Sequence, residues 1–238
     1  MTRLALLGYG AMGRLVEQLA PRHGFEVALR LTGADNAGGA GIDAARFRGI
    51  EVAIDFSAAA AVAASVERLA PLGVAMVVGT TGWTDDLERV RRAVLAHGAA
   101  LIHGANFSLG VQVFYRTVET AARLLATDDG YDCWLYEIHH RRKRDAPSGT
   151  LRELRRVIAA AGFPRDVDVA SNRAGAIPGT HVVGFDSEAD TIRLEHQARN
   201  RSGFAHGALR AARWVLGRSG VFEWREVWEE VARLPVRP

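Results

Sequence analysis

Near its N-terminus the chain reads R-L-A-L-L-G-Y-G-A-M-G-R-L-V-E-Q-L-A over residues 3–20, an apolar run that leads through a glycine loop into a helical pattern. In such a loop Gly8 permits a tight turn, Gly10 lets the backbone approach a pyrophosphate, and Gly13 allows close helix–strand packing. The start of the helix also favours phosphate charge. The loop therefore predicts dinucleotide binding, with contacts at Gly8, Tyr9, Gly10, Ala11, Met12 and Gly13. A glycine-rich turn without a ligand is the alternative.

The alternation of short apolar runs and helical patterns continues along the chain as far as His103. The predicted strands are Arg3–Gly8, Glu26–Leu31, Glu51–Ser57, Val74–Gly79 and Ala100–His103, and the predicted helices are Ala11–Ala20, Ala58–Ala70 and Thr84–His97. Successive units of this kind predict a parallel sheet with helices on both of its faces.

Beyond Asn106 the pattern changes to strands with few helices. The predicted elements there are a helix at Leu109–Ala126, a strand at Asp132–His139, a helix from Pro147, and strands near His181–Phe185 and Thr191–His196. This mixture predicts a second, α+β domain over residues 108–203. Helices predicted at Phe204–Leu216 and Val221–Arg233 are expected to pack on the first domain, which then comprises residues 1–107 and 204–238.

The composition excludes several classes of partner. The net charge is +3 and the pI is near 9.5, but the arginines are interleaved with acidic residues, so we predict small anionic ligands and no nucleic acid. No apolar run approaches the roughly 20 residues of a membrane span, and the first is too short for an export signal. The single cysteine, Cys133, cannot form an intrachain disulfide, which fits a cytoplasmic protein.

One basic position differs from all the others. Among 30 Lys and Arg residues the chain has a single lysine, Lys143, which follows His139 and His140 and precedes Asp145. Both side chains carry positive charge, but only lysine can release a proton in a protein. We therefore predict proton chemistry at Lys143. A solvated basic loop is the alternative.

The residues around this lysine add further chemistry. His139 and His140 lie where a predicted strand ends, and histidine serves as an acid or a base near neutral pH. Since no third ligand has a sensible spacing, we expect no metal. The segment A-P-S-G-T, residues 146–150, predicts a helix start with Ser148 and Thr150 as cap candidates, whose exposed N–H groups could bind a carboxylate. Together these features predict a pocket for a small dicarboxylate.

The second predicted strand ends in A-L-R-L-T-G, without the acid that would bind an NAD ribose; Asp35 comes only after Gly33. Because no carboxylate would repel a 2′-phosphate there, and Arg30 or Arg14 could pair with one, we predict that NADPH is used at least as well as NADH. Asp55, at the end of the third strand, has two interpretations of equal weight, a cofactor contact or a helix cap, and Ser57 is the better cap candidate.

Several segments resemble one family. They are E-I-H-H-R-R-K-R-D-A-P-S-G-T at 137–150, G-T-T-G at 79–82, A-N-F-S-L-G at 105–110, I-P-G-T-H at 177–181 and H-Q-A-R-N-R-S-G-F-A-H-G-A at 196–208. Together they resemble the 4-hydroxy-tetrahydrodipicolinate reductase (dihydrodipicolinate reductase) family of lysine and diaminopimelate biosynthesis. The glycine loop is the short G-x-G-x-x-G form, whereas many members of that family carry one more residue.

The resemblance implies an α/β fold, in which a Rossmann-type domain binds NADPH or NADH and a smaller α+β domain binds substrate. The open mixed sheet of the smaller domain would form a homotetramer. The resemblance implies His139 as the acid/base residue, Lys143 as the proton donor, and His140, Gly149 and Thr150 as substrate contacts. The cofactor contacts expected beyond the glycine loop are Asp55, Phe56, Gly79, Thr80, Thr81, Ala105, Asn106 and Phe107.

Two other functions remain open at this point. A related reductase could act on another small anionic imine or aldehyde, although the segment from Glu137 to Thr150 argues against it. A redox-sensing module could bind the dinucleotide without catalysis, but it would not need His139, Lys143 and an anion-binding helix start together.

Overall fold

The structure is a computed structural model that describes residues 1–234. The chain divides into two compact domains, which we call the Rossmann-type domain (Met1–Leu109 with the segment from Ser202) and the inserted domain (Gly110–Arg201). Within residues 1–234, no helix is long and apolar enough to cross a membrane.

The Rossmann-type domain contains a six-stranded sheet, parallel throughout, in the order β10-β5-β4-β3-β1-β2. Its strands are β1 (Thr2–Leu7), β2 (Phe25–Leu31), β3 (Val52–Asp55), β4 (Ala75–Val78), β5 (Ala100–His103) and β10 (Gly220–Glu223). Its helices are α1 (Ala11–Leu19), α2 (Ala59–Leu69), α3 (Leu87–Ala96), α6 (Ser202–Val215) and α7 (Trp224–Arg233). The predicted α/β fold with a parallel sheet is confirmed.

The alternation of side chains along β1 explains why helices cover both faces of this sheet. Leu4 and Leu6 belong to one buried cluster, with residues of α1, α6 and α7. Ala5 and Leu7 belong to a second cluster, with residues of α2 and α3. Since neighbouring strand residues point to opposite faces, a short apolar run supplies both cores at once.

Two local predictions in this domain are wrong. The segment Gly220–Glu223, whose residues from Val221 onward were expected to be helical, is strand β10; Val221 pairs with Leu101 of β5, so the segment extends the sheet before α7 begins. The second error concerns the start of α2. Its N-cap is Ala58, with no side-chain hydrogen bond, so neither Ser57 nor Asp55 caps it.

The inserted domain contains a four-stranded mixed sheet in the order β7-β6-β8-β9. Its elements are α4 (Leu109–Leu125), β6 (Asp132–His139), α5 (Gly149–Ala160), β7 (Val167–Arg173), β8 (Thr180–Asp186) and β9 (Thr191–Gln197). Strand β7 was not predicted. It pairs in parallel with β6, whereas β8 runs antiparallel to both β6 and β9.

Burial alternates along β6, and its buried face decides where the polar residues lie. Cys133, Leu135, Glu137 and His139 are buried on one face, in phase with each other. Cys133 and Leu135 pack in an apolar core with α4 and α5. The last two positions of this face are therefore a carboxylate and an imidazole at the edge of a hydrophobic core.

Candidate active site

The first predicted loop forms a sharp turn with open space before the helix. Gly8 has φ +87°, and a Cβ there would lie 2.4 Å from the carbonyl oxygen of Phe56. A Cβ on Gly13 would lie 2.3 Å from the carbonyl oxygen of Gly8. At Gly10, in contrast, an added Cβ would meet no described atom within 4 Å. The turn thus presents open backbone at the start of α1, the position where a Rossmann-type fold holds a pyrophosphate.

A cavity of about 590 Å³ lies beside this turn. It is lined by Gly8, Tyr9, Gly10, Thr32, Gly33, Asn36, Ala37, Gly38, Phe56, Ser57, Ala58, Ala60 and Ala61. These residues follow the carboxyl ends of β1, β2 and β3, where the strand order reverses and where open α/β sheets bind their ligands. The sequence interpretation named the contacts that follow β1 and Phe56 after β3, but it missed those that follow β2.

The charge of the residues that line the cavity is relevant to the choice of cofactor. Among its described lining residues, none carries a charged side chain. Asp35, just beyond β2, accepts hydrogen bonds from the backbone N–H and the hydroxyl of Thr32, at 2.9 and 2.6 Å. Arg30 forms an ion pair with Glu17, which also accepts a hydrogen bond from the Tyr9 hydroxyl. Arg30 therefore already has an acidic partner.

Asp55 connects the ends of two strands. Its Oδ1 accepts hydrogen bonds from the Ser57 N–H at 2.8 Å, the Ser57 hydroxyl at 2.6 Å and the Thr80 hydroxyl at 2.8 Å. Burial raises the pKa of Asp55, and these hydrogen bonds oppose that effect. The side chain thus holds β3 and β4 together. Beside it, a Cβ on Gly79 would lie 2.1 Å from the Phe56 ring.

The remaining predicted cofactor contacts have different environments. Thr81 and Ala105 are exposed. The Asn106 side chain accepts a hydrogen bond from the Ser108 N–H at 2.9 Å, which fixes the turn before α4. Phe107 is buried, with its ring centroid 5.1 Å from that of Trp224. The side chain of Phe107 is therefore part of the core.

In the inserted domain, strand register gathers a polar cluster around Glu137. Glu137 pairs with Ser171 of β7 and His181 of β8, and His139 pairs with Arg173 of β7. Glu137 Oε2 lies 3.6 Å from His139 Nδ1 and 3.6 Å from His181 Nε2. The centroids of the His139 and His181 imidazole rings are 5.0 Å apart, and the rings meet edge to face.

The protonation states in this cluster follow from its contacts. Burial raises the pKa of Glu137, but its interactions with His181, Ser148 and Arg173 outweigh burial and hold that pKa well below its usual range. Burial, followed by the nearby His181, lowers the pKa of His139 to about 4. At neutral pH the cluster therefore pairs an ionised carboxylate with a neutral imidazole at His139.

The segment after β6 carries the lysine and the helix start. The Lys143 ammonium donates to both carboxylate oxygens of Asp145, at 2.8 and 3.0 Å. At the N-cap of α5, the Ser148 hydroxyl accepts a hydrogen bond from the Leu151 N–H at 3.2 Å. A Cβ on Gly149 would meet no described atom within 4 Å, so this helix start has room for a ligand.

The predicted substrate-side residues differ in exposure. His139 is buried, His140 and Thr150 are half-buried, and Gly149 is exposed. His181 was quoted within a motif without a role, and Glu137 was likewise given none. The signal that could have found them is cross-strand pairing, which requires the strand register.

Glu137, His139 and His181 also place one possible metal-ligand atom each within 4.8 Å of one another. His181 is the third candidate ligand residue, which spacing in the sequence could not reveal. The charges nearby disfavour a cation, because Arg173 already pairs with Glu137 and both Arg173 and Lys143 lower the pKa of His139. We therefore interpret the cluster as an acid–base group.

Comparison with known proteins places these features in a family. Family models for the N-terminus and the C-terminus of dihydrodipicolinate reductase match residues 2–107 and 110–228. The 4-hydroxy-tetrahydrodipicolinate reductase of Christiangramia forsetii is 32% identical over 240 residues, which cover 96% of this chain and 98% of the relative. The enzyme of that name from an Anaeromyxobacter species is 35% identical over 257 residues, which cover 92% of this chain and 95% of the relative.

A solved structure has the same fold. The dipicolinate-bound dihydrodipicolinate reductase of a Paenisporosarcina species matches with a TM-score of 0.78 at 20% identity, over 95% of this chain and 99% of that chain. Because both family models and relatives above 30% identity span nearly the whole sequence, the chain belongs to the dihydrodipicolinate reductase family of oxidoreductases.

Proposed function

We propose that this protein reduces 4-hydroxy-tetrahydrodipicolinate to tetrahydrodipicolinate with NADPH or NADH, in lysine and diaminopimelate biosynthesis. The observation that carries the proposal is the polar cluster at the end of β6, where a neutral His139 lies against an ionised Glu137. Lys143 and the open start of α5 follow within the same segment. The identity of the proposed substrate comes from the names of the relatives.

The Rossmann-type domain fits a nicotinamide dinucleotide. The open backbone at Gly10 and the start of α1 would hold the pyrophosphate, and the neutral cavity after β2 would hold the adenosine part. When bound, the reduced nicotinamide would supply a hydride. The exposed Thr81 and Ala105, at the ends of β4 and β5, are the remaining residues that we assign to its nicotinamide end.

The inserted domain would bind the dicarboxylate and supply the proton that the reduction requires. Gly149 and Thr150, in the first turn of α5, would hold one carboxylate through backbone N–H groups and the Thr150 hydroxyl, and His140 would contact the substrate. The 4-hydroxyl group leaves as water, and the ring gains a hydride. A hydride brings two electrons and no proton, so the overall reaction also consumes one proton. Lys143 would donate it, and His139 would serve as the acid/base residue.

A direct assay tests the reaction and the cofactor together. We expect the purified protein to oxidise NADPH when freshly generated 4-hydroxy-tetrahydrodipicolinate is added, with a KM for NADPH no higher than that for NADH. The reason is the neutral wall of the cavity, which offers no carboxylate to repel a 2′-phosphate. A strong NADH preference would refute the cofactor prediction alone. If neither cofactor is oxidised although NADPH binds, the proposed reaction is wrong.

Gly179 provides a second test, because it leaves space beside His139. A Cβ on Gly179 would lie 2.9 Å from His139 Nε2. We expect Gly179→Ala to lower kcat about tenfold, since a clash of this kind costs roughly 1–3 kcal/mol. Gly175→Ala is the matched control, because Gly175 also has positive φ, +53°, but its Cβ would meet no described atom within 4 Å. Equal losses in both variants would point to backbone strain and away from His139.

We also propose a homotetramer, assembled through the sheet of the inserted domain. The support is the exposed outer pair of strands: β7 and β9 are largely exposed, and Val169 and Ile192 are each 39% exposed. Exposed apolar side chains on an open sheet favour association. Light scattering would give the mass, and a monomer at assay concentration would contradict this assembly.

A further inference from the structure

We infer that Glu137 is a positioning residue, whose carboxylate sets the tautomer and the orientation of His139 and ties them to the start of helix α5. The inference deepens the proposed function, on which its kinetic expectations rest. Its structural part, the tautomer of His139, can be tested without any assay of turnover.

The carboxylate of Glu137 is held on one side by three donors. Its Oε1 accepts hydrogen bonds from the Ser148 N–H, the Ser171 hydroxyl and the Arg173 guanidinium, each at 2.9 Å. The side chain is fully buried, with 0% exposure. A carboxylate held by three donors from two segments, the start of α5 and strand β7, has little freedom to turn, so the direction of Oε2 is fixed as well.

The second oxygen, Oε2, faces the His139 ring. It lies 3.6 Å from His139 Nδ1, longer than a hydrogen bond. In the part of the chain that the structure describes, both atoms are buried and neither has a hydrogen-bond partner. Oε2 is equally far, 3.6 Å, from His181 Nε2, but that nitrogen already has the Ser148 hydroxyl at 3.2 Å. His139 Nδ1 is therefore the unpartnered nitrogen beside Oε2, and hydrogen bonds of an active site commonly shorten when a ligand binds.

The chemistry of the pair decides the tautomer. An ionised carboxylate only accepts hydrogen bonds, so His139 Nδ1 must carry the proton. His139 Nε2 then carries the lone pair, on the ring edge that faces Gly179. The basic nitrogen is thus the one that does not face Glu137. In metal and catalytic sites a carboxylate behind a histidine has this same orienting effect.

The contact at Ser148 links this group to the helix start. Ser148 donates its N–H to Glu137 and caps α5 through its hydroxyl, which also lies 3.2 Å from His181 Nε2. One buried carboxylate therefore fixes both the His139 ring and the first turn in which we place the substrate carboxylate. Glu137 is fully buried and cannot itself reach a substrate, so its role is to position other groups.

The test compares tautomers by ¹⁵N NMR of histidine-labelled, full-length protein at neutral pH, with the His139 signals assigned by their loss in His139→Gln. We expect wild type to show a protonated Nδ1 and an unprotonated Nε2. In Glu137→Gln an amide NH₂ can face the ring, so the Nδ1–H form should lose its preference. We also expect kcat to fall by about tenfold, the lower end for lost outer-shell partners, with the KM for the cofactor unchanged.

Glu88→Gln is the control, since it makes the same change in an exposed ion pair on helix α3 of the Rossmann-type domain. It should leave both the spectrum and kcat at wild-type values. Two results would overturn the inference: a wild-type His139 protonated at Nε2, or a Glu137→Gln variant that keeps the Nδ1–H form and normal kcat. The wild-type spectrum shows which nitrogen of His139 is protonated even if Glu137→Gln does not fold. If the wild type turns over no 4-hydroxy-tetrahydrodipicolinate, the proposed function fails while the spectra still decide the role of Glu137.

Discussion

Replacing Lys143 with arginine is expected to lower kcat by roughly two to four orders of magnitude, nearly as much as replacing it with alanine. Arginine keeps the positive charge, and its planar guanidinium could still bind both oxygens of Asp145, which Lys143 contacts at 2.8 and 3.0 Å. What arginine cannot do is release a proton. The substitution therefore separates the supply of a proton from the supply of charge.

The measurement is steady-state kcat, together with the dissociation constant of NADPH. The Lys143 side chain is 23% exposed, so the larger arginine can be accommodated toward solvent, and cofactor affinity should not change. Arg144→Lys, at an exposed neighbouring position, makes the reverse exchange and should leave kcat within about twofold, as expected for surface substitutions. If Lys143→Arg turns over like the wild type, charge is the requirement and the proton donor is another group.

The Rossmann-type domain was predictable because its signals are local. A short apolar strand, a glycine turn and an amphipathic helix can each be recognised within about 20 residues of sequence. The predicted bounds of β5 (Ala100–His103) agree with the structure. Strand β10 was missed because it is four residues long and runs directly into α7, so the helical pattern of Trp224–Arg233 masks it.

The inserted domain shows where local signals end. Strand β7 reads V-D-V-A-S-N-R and is largely exposed, so it lacks the apolar alternation that marks a half-buried strand. Without β7 there is no register to place Ser171 and Arg173 beside Glu137. The single lysine and the histidine pair could be found from composition and spacing, but the carboxylate network behind them depends on pairing between distant strands.

Gly10→Val is expected to weaken NADPH binding by about 10- to 100-fold while the fold remains intact. Gly10 has φ −89° and ψ −152°, an extended backbone with negative φ, so a side chain there does not require the left-handed region. A Cβ there meets no described atom within 4 Å, so the valine side chain would project into the space that we assign to the pyrophosphate. Overfilling a close contact costs about 1–3 kcal/mol, and each 1.4 kcal/mol corresponds to a tenfold loss of affinity.

Gly8→Ala provides the contrast, because it should damage the fold itself. Its Cβ would lie 2.4 Å from the Phe56 carbonyl oxygen, and its φ of +87° strains any residue with a side chain. Thermal unfolding without cofactor should therefore show a lowered midpoint for Gly8→Ala and a nearly unchanged one for Gly10→Val. Titration of the folded Gly10→Val protein with NADPH then isolates the ligand contact, since a packing defect would appear in the melt. Wild-type affinity in Gly10→Val would mean that the dinucleotide does not approach the backbone at this turn.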